Sequence, residues 1–355
     1  MSAHTRSRAA RLTVVLCLVA LSTSHPLVVR SATRGEGSTI ESSKVDGLKA
    51  LYRRPAQVPY PGDNAYSSDR ELLGRTLFFD ARLSGSGSIS CASCHNPDKA
   101  WGDGLPVGVG NGGLRLARRT PTILNLAWAP ALFWDGRADT LEEQALGPIA
   151  APGEMNLPLT DMVSRVKSIA GYRHLFARAY PGEPIATATV AKAIATFERG
   201  VVSAQAPFDR WIAGDGNAIS DSAQRGFVLF NDKARCATCH TGWRFTDDGF
   251  YDIGVANDDV GRGKLLPQIP LAGHAFKTPT LRNVAARAPY LHNGSAATLD
   301  DIIEHYDRGG VARRSSLSPE IKPLTLTAVE KKDLVAFLES LTSRDAAPQR
   351  PVMPR

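Results

Sequence analysis

The chain has 355 residues and a formal net charge of +7, and this length is sufficient for two ordinary domains. Loss of the first 24 residues would remove three arginines and no acidic residue, so the basic excess gives little support for a nucleic-acid partner. Beyond the N-terminus, no segment is apolar enough to span a bilayer, and we expect no membrane-integral domain.

Residues 1–24 have the pattern of a secretory signal peptide. Three arginines between residues 6 and 11 precede an apolar run over 12–21, and small residues follow at 22–24. The run is shorter than the roughly 20 residues of a transmembrane helix, which makes an uncleaved anchor the weaker alternative. We therefore predict a periplasmic protein. Residues 25–60 lack clear periodicity and are expected to form an extended arm.

Two copies of the pattern Cys-x-x-Cys-His follow. They are Cys91-Ala-Ser-Cys94-His95 and Cys236-Ala-Thr-Cys239-His240. This spacing is typical of c-type haem attachment, in which both thiols bond to the haem and the histidine binds its iron. Chance or a redox dithiol could explain one copy, but two copies predict two covalent haems and redox chemistry. With all four thiols used in this way, we expect no structural disulfide.

A short repeat precedes each haem motif. Gly74-Arg-Thr-Leu77-Phe78 lies before the first motif and Gly226-Phe-Val-Leu229-Phe230 before the second. This arrangement is typical of the start of a class I cytochrome c domain, whose first helix packs against the later C-terminal helix. We predict such a helix before each haem motif.

The sequence predicts a helix near the C-terminus. Thr327 and Glu330 form a potential capping box. The apolar residues that share one helical stripe are Leu334, Val335, Phe337, Leu338 and Leu341.

Strand signals are few, so the predicted fold class is mainly α. Segment 201–215, with a proline and a Gly-Asp-Gly turn, predicts the join between two domains. The expected domains are 61–205 and 206–345, followed by a C-terminal tail, 346–355.

The chain resembles the bacterial di-haem cytochrome c peroxidase family, which includes MauG. The resemblance spans about residues 65–345. The segments that carry it are Leu-Phe-Phe-Asp80, Cys-Ala-Ser-Cys-His-Asn-Pro97, Thr-Pro-Thr122, Phe-Trp-Asp-Gly-Arg137, Lys-Thr-Pro-Thr-Leu-Arg-Asn283 and Pro-Tyr-Leu-His-Asn-Gly294. It implies two cytochrome c-like domains, each with one covalent c-type haem, and haems that face a shared interface.

For the first haem, the resemblance implies a peroxide site with Glu154 as acid and base and Gln144 as the residue that orients peroxide. Trp134 is implied to stand between the haems and relay electrons. Many family members carry a histidine that blocks the iron at the position of Asn111. We therefore expect a five-coordinate, high-spin first haem in the oxidised protein.

For the second haem, the distal methionine of typical family members falls on Tyr306, which the resemblance to MauG implies is an iron ligand. A phenolate stabilises ferric iron and lowers its potential. His305 is an adjacent competitor, and about 100° separates neighbouring residues on a helix, so only one of the two should face the haem. His292 and His274 are further options. His292 also matches a family histidine near the haem interface, with a structural or electron-relay role.

Family members hold a calcium ion between the domains through an asparagine and two backbone carbonyls. The carbonyl positions are Arg287 and Pro289 here, whereas the asparagine position is Arg119. Arginine cannot ligate a cation, although its guanidinium could take the cation's place. Waters and carbonyls could still complete a site, so calcium is a possible cofactor.

The implied function is a periplasmic di-haem peroxidase that reduces hydrogen peroxide to water with electrons from a small redox protein, a cytochrome c or a cupredoxin. The first alternative is a MauG-like oxidase that modifies residues of a partner protein through high-valent haems, which Asn111 and Tyr306 favour. The second alternative is a non-catalytic electron carrier. That role would need two six-coordinate irons and would give Glu154 no part.

Overall fold

The computed structural model describes residues 45–344 and 347–355. The predicted signal peptide, 1–24, and the predicted arm up to residue 44 lie outside the described residues. In the part that is described, no helix is both long and apolar enough to cross a bilayer.

The described chain is mainly helical, as predicted. Its helices are α1 (45–51), α2 (Ser68–Phe79), α3 (Cys91–Cys94), α4 (Leu141–Ala150), α5 (Leu159–Ser168), α6 (Ala170–Ala179), α7 (Thr187–Arg199), α8 (Pro207–Ile212), α9 (Asp221–Asn231), α10 (Leu299–Asp307) and α11 (Ala328–Ser340). Two strands, β1 (Phe250–Tyr251) and β2 (Phe276–Lys277), pair antiparallel with Phe250 opposite Lys277. Long irregular segments and short 3₁₀ turns connect these elements.

In each half, the helix before the haem motif crosses the last helix of that half at very short range. α2 packs on α7, and α9 packs on α11. A Cβ atom at Gly74 would lie 1.9 Å from the carbonyl oxygen of Ala193, and one at Gly226 would lie 2.0 Å from that of Asp333. Only glycine allows backbones to approach so closely, which explains its place in both copies of the repeat.

The aromatic residue of each repeat packs beside this crossing. Phe78 lies 5.1 Å from Phe197 between ring centroids, and Phe230 lies 5.0 Å from Phe337. These rings belong to two separate apolar clusters, one built on α2 and α5–α7 and the other on α8–α11. The two halves therefore share one helical frame in which Phe197 and Phe337 are equivalent.

The predicted C-terminal helix is confirmed, together with its cap. The Thr327 hydroxyl accepts from the Glu330 backbone N–H at 3.2 Å, and the Thr327 backbone N–H donates to the Glu330 carboxylate at 2.7 Å. Of the predicted apolar stripe, Leu334, Phe337, Leu338 and Leu341 are buried, while Val335 is partly buried.

The start of the described chain differs from the expected extended arm, because residues 45–51 form helix α1. Val45, Leu48 and Tyr52 recur at three- and four-residue spacing and pack against the second apolar cluster. The Tyr52 ring stacks on Phe245 at 4.8 Å, and its hydroxyl donates to the Asn231 side chain at 2.7 Å. This helix has only two turns, which is too short for its periodicity to stand out.

The C-terminal tail returns to the first half of the chain. The Gly171 backbone N–H, on α6, donates to the carbonyl oxygen of Arg355 at 2.7 Å. A Cβ atom at Gly171 would meet the Pro354 ring at 2.6 Å, so the tail lies directly on this helix.

Candidate active site

Each predicted haem-binding histidine is held through Nδ1 by a backbone carbonyl. His95 Nδ1 lies 3.2 Å from the carbonyl oxygen of Trp101, and His240 Nδ1 lies 2.9 Å from that of Phe245. Burial lowers the pKa of both imidazoles and favours their neutral form. A neutral ring that donates from Nδ1 presents the lone pair of Nε2, which suits an iron ligand.

The repeated Thr-Pro-Thr sequence supports both histidines in the same way. The Thr122 hydroxyl donates to the Ala100 carbonyl at 2.8 Å, and the Thr280 hydroxyl donates to the Arg244 carbonyl at 2.6 Å. Each acceptor directly precedes the residue whose carbonyl holds the histidine. Sequence reasoning missed this role, although the recurrence of the tripeptide after each haem motif was a usable signal.

The four cysteines of the haem motifs form no disulfide and line two cavities. The first cavity is lined by Cys91, Cys94 and His95, and the second cavity by Cys236, Cys239 and His240. In each, two free thiols and a neutral imidazole face the same space. This donor set fits a haem that is attached by two thioether bonds and held by one axial histidine.

Two buried guanidinium groups also fit bound haem. Arg119 and Arg287 line both cavities, and neither forms an ion pair within 4.0 Å with a carboxylate of the described residues, although Asp103 acts on Arg119 at longer range. Burial lowers the pKa of Arg119, and it lowers that of Arg287 to about 9 with the help of the neighbouring Arg119. The Arg119 Nε is buried without a hydrogen-bond partner. Buried cations need a counter-charge, which the propionates of a haem would supply.

The structure brings Gln144 and Glu154 together in the wall of the first cavity. Gln144 lies on α4, whose N-terminus is capped by the Thr140 hydroxyl, which accepts from the Glu143 backbone N–H at 3.1 Å. Glu154 lies in the turn after the same helix. Burial raises the pKa of Glu154, and the positive charge of Arg137 partly opposes this.

Asn111 contributes its backbone, and not its side chain, to this region. The Asn111 N–H donates to the carbonyl oxygens of Glu154 at 2.8 Å and Gly153 at 3.2 Å. A Cβ atom at Gly110 would lie 2.0 Å from the same Gly153 oxygen. Gly110 lines the first cavity, whereas Asn111 does not. The segment therefore fixes the turn that carries Glu154 and presents no imidazole to the cavity.

Among the described residues that line the first cavity, imidazole and thioether side chains occur only at His95 and Met155. Met155 is 4% exposed and belongs to the first apolar cluster with Leu157 and Met162. Core packing accounts for the position of Met155, so His95 is the side chain of this cavity that would bind the iron of a haem.

A second carboxyl group, Glu198, lines the first cavity, and sequence reasoning missed it. It lies at the end of α7 and is 4% exposed. Its Oε2 atom has no hydrogen-bond partner. The available signal was the apolar content of the helix, since six of the eight residues over 190–197 are apolar and only Lys192 and Thr196 are not, which predicts a largely buried helix.

Tyr306 lines the second cavity, and its neighbour His305 does not. The His305 Nε2 instead lies 2.9 Å from the carbonyl oxygen of Ile253. Burial raises the pKa of the Tyr306 phenol. A ferric iron beside it would favour the phenolate, because a nearby positive charge stabilises the anion.

His292 also lines the second cavity, whereas His274 does not. The His292 ring stacks on Phe276 at 3.6 Å, and its Nε2 lies 2.7 Å from the Asn257 side-chain amide. Burial lowers its pKa to about 4, so the ring is neutral. The Nδ1 of His274 is bound to the Asp259 carbonyl at 2.9 Å.

Trp134 lies in the wall that the two cavities share. Its indole N–H donates to the Arg119 carbonyl at 2.8 Å, and its ring centroid is 6.4 Å from that of His292. Two backbone bonds cross this wall reciprocally. The Arg119 N–H donates to the His292 carbonyl at 2.7 Å, and the Lys277 N–H donates to the Trp134 carbonyl at 2.8 Å.

Side-chain ion pairs also join the two halves of the chain beside this shared wall. Arg118 donates to Asp135 at 2.7 Å and to Asp259 at 2.6 Å, so one guanidinium joins carboxylates from both halves of the chain. The hydrogen bonds from Arg118 lower the pKa of both carboxyl groups against the opposing effect of burial.

One of the two carbonyl groups predicted to bind calcium already has a protein partner. The Arg119 guanidinium donates to the Arg287 carbonyl oxygen, which was one of the two expected ligands. A resident guanidinium supplies positive charge there and uses an oxygen that calcium would need.

Comparison with known proteins places the chain in a family. A family model described as di-haem cytochrome c peroxidase matches residues 68–217, and one described as cytochrome c matches residues 223–342. The chain is 50% identical over 322 residues to a methylamine utilization protein MauG of Methylorubrum extorquens, which covers 89% of this chain and 91% of the relative. The chain belongs to the di-haem cytochrome c peroxidase and MauG family.

Other members of the family are also similar. A cytochrome-c peroxidase IdrP1 of a Pseudomonas species is 37% identical over 340 residues, covering 86% of this chain and 88% of the relative. A solved MauG-like protein associated with microbial copper homeostasis has a TM-score of 0.75 at 34% identity, with 81% of this chain and 94% of that chain covered. The protein is thus an oxidoreductase with two cytochrome c-like domains.

Proposed function

We propose that the protein is a periplasmic di-haem enzyme that reacts with hydrogen peroxide in the first cavity and draws two electrons from a protein partner. The observation that carries this proposal is the asymmetry of the two cavities. The first combines one histidine ligand with Glu154 and Gln144, while the second combines its histidine with Tyr306. A protein that only carried electrons would have no use for the acid and amide of the first cavity.

A haem bound through His95 would supply the iron that coordinates peroxide and receives its oxidising equivalents. Glu154 has two tasks at the peroxide itself. As a carboxylate it takes the proton from the oxygen nearer the iron, and as a carboxylic acid it returns that proton to the leaving oxygen. Gln144 donates a hydrogen bond that holds peroxide in line for both transfers. The overall balance is one peroxide, two protons and two electrons to two waters.

Trp134 is proposed to conduct electrons between the two haem sites, because its ring forms part of both cavity walls. Tyr306 is proposed as the second axial ligand of the haem on His240. A hard anionic oxygen ligand would hold that iron in high oxidation states, in contrast to the thioether of a methionine. The second site would then store oxidising power and pass it to the partner.

The proposed partner is a protein whose own residues are oxidised, as in MauG-like enzymes. Tyr306 and the 50% identity to a MauG protein both favour this reading. A second candidate is a peroxidase that takes electrons from a small cytochrome c or cupredoxin. The 37% identity to a cytochrome-c peroxidase supports this second candidate.

Stopped-flow mixing of the oxidised di-haem protein with hydrogen peroxide tests the shared reaction. We expect a high-spin first haem that reacts without prior reduction and then persists in an oxidised form until a donor is added. A purely low-spin ferric spectrum, with no reaction toward peroxide or carbon monoxide, would leave only the electron carrier. Reduced cytochrome c and a cupredoxin, added as donors, separate the two enzymes. Rapid multiple turnover with either one favours the peroxidase, whereas slow consumption favours the protein-modifying oxidase.

A further inference from the structure

The first cavity contains a carboxyl group that the peroxide reaction does not use. Glu198 is 4% exposed, lines the cavity, and has a buried Oε2 without a hydrogen-bond partner. Its neighbour Arg199 donates elsewhere, to Glu142 at 2.7 and 2.8 Å. A buried carboxyl oxygen without a hydrogen-bond partner costs stability, so a contribution to folding does not explain an acid at this position.

The second half of the molecule shows that the fold does not require an acid here. A Cβ atom at Gly74 would meet the Phe197 Cβ at 2.9 Å, and one at Gly226 would meet the Phe337 Cβ at 2.7 Å. The next residues along these equivalent helices are Glu198 and Leu338. Leu338 lines the second cavity just as Glu198 lines the first. The same frame thus places leucine in one cavity and an acid in the other.

Burial in the cavity wall favours the protonated form of Glu198. Burial raises its pKa to about 8, while Arg199 on its own helix lowers it and Glu142 on α4 raises it. Burial raises the pKa of Cys91 on α3, and the charges of Glu198 and Glu154 add to this effect. Cys91, Glu154 and Glu198 all line the first cavity.

We propose that Glu198 is a proton-holding group of the first cavity, which releases its proton when the first haem is oxidised and regains it when that haem is reduced. The physical reason is charge balance, since oxidation adds a positive charge to the haem and an anionic carboxylate beside it compensates that charge. In the forward direction, the electron passes to an external redox mediator and the proton passes to solvent. This inference rests on the proposed function only in placing a haem in the first cavity.

A redox titration of the di-haem protein as a function of pH tests the proposal. Between the pKa of Glu198 in the oxidised protein and its higher pKa in the reduced protein, we expect the ferric-to-ferrous ratio of the first haem, at fixed potential, to rise up to tenfold per pH unit. Glu198→Gln and Glu198→Leu should each remove this dependence. Leu occupies the equivalent position in the second half, so the second variant is compatible with the fold. The second haem, beside Leu338, serves as the reference within the same molecule.

Redox-difference infrared spectroscopy gives a readout of the carboxyl group itself. The C=O stretching band of a protonated carboxyl group should disappear on oxidation of the native protein and should be absent from the spectra of both Glu198 variants. Glu142→Gln is the matched control, because Glu142 is an ionised neighbour held by Arg199 and should leave the band in place. Glu154 and Arg137 face the same cavity, so the titration is repeated in a Glu154→Gln background. Retention of both the band and the pH dependence in the Glu198 variants would overturn the proposal. Peroxide is absent from both measurements, so failure of the proposed enzyme activity would not affect them.

Discussion

The two halves of this molecule share the same helical frame but place different side chains in the walls of their cavities. Each half has a glycine-mediated helix crossing, a histidine held by a backbone carbonyl, and a Thr-Pro-Thr segment that supports it. The first cavity adds Glu154, Gln144 and Glu198 to this frame, whereas the second adds Tyr306 and Leu338. In the proposed function, haem attachment would depend on the shared frame, and the chemistry of each haem would depend on a few side chains around it.

The equivalence extends to the wall between the cavities. Tight backbone bridges, Leu132 with Ala138 and Tyr290 with Ala296, enclose Trp134 in one half and His292 in the other. The two rings approach each other at the junction. Of these two rings, only that of Trp134 lines both cavities, so the two halves contribute unequally to the proposed electron path.

The largest expected effect is on peroxide chemistry in the first cavity. Glu154→Gln keeps the shape of the side chain but removes its proton transfer, and we expect the reaction with peroxide to slow by about 10²- to 10⁴-fold. In the native protein, the rate should fall as pH drops through the raised pKa of Glu154, because the base must be ionised. Stopped-flow absorbance across a pH series measures both effects.

Glu143→Gln is the control for this experiment, since Glu143 lies on α4, which precedes the turn that carries Glu154, but is exposed and accepts a hydrogen bond from the Asp139 backbone N–H. It should react like the native protein, and the Glu154 variant should lose the pH dependence as well as the rate. An unchanged rate in the Glu154 variant would remove the chemical distinction between the two cavities.

The next effect concerns the second cavity. Tyr306→Met replaces a hard anionic oxygen with a soft neutral sulfur, and we expect the potential of that haem to rise by on the order of 0.1 V or more. Spectroelectrochemistry with resolution of the two haems measures the change. His305→Gln is the matched control, because His305 faces the Ile253 carbonyl and should leave the potential unaltered. If only the His305 variant shifts the potential, the ligand assignment is wrong.

The shared frame predicts a smaller and symmetrical effect. Gly74→Ala and Gly226→Ala would each force a methyl group into a backbone carbonyl at about the same distance, and overpacking of this kind costs about 1–3 kcal/mol. Denaturant unfolding of the haem-loaded protein should show similar losses for both. Gly216→Ala, in open space, should be neutral. A loss confined to one half would break the structural equivalence.

Sequence reasoning could recover those parts of the site that obey local rules. The haem motifs have a fixed spacing, the capping box has a fixed pattern, and helical geometry alone stated that only one of His305 and Tyr306 faces the cavity. The choice of Tyr306 came from the resemblance, and the structure places its ring in the second cavity. Each of these features depends on residues close together in the chain.

The features that sequence reasoning missed depend mostly on packing between segments that are distant in the chain. Glu198 and Arg199 look alike as the polar end of a helix, yet the contact with α4 draws Arg199 to Glu142 and leaves Glu198 facing the cavity. The Thr-Pro-Thr segments bind loops that are 22 and 36 residues away in sequence, so the recurrence of the tripeptide marks the two segments but does not identify the carbonyl groups that they bind. Helix α1 was not predicted because a helix of two turns is too short to show a clear periodicity of apolar residues.

The smallest expected effect is that of metal removal. The Arg119 guanidinium donates a hydrogen bond to the Arg287 carbonyl oxygen. We therefore expect no stoichiometric calcium in the purified protein and an unchanged melting temperature after treatment with a chelator. Arg119→Asn would supply an oxygen ligand and free that carbonyl, so this variant should bind calcium and become sensitive to the chelator. Arg118→Asn changes the adjacent residue and breaks the ion pairs to Asp135 and Asp259, so it should lose stability without gaining calcium. One calcium per native chain would show that a metal, and not the guanidinium, balances charge at the junction of the two halves.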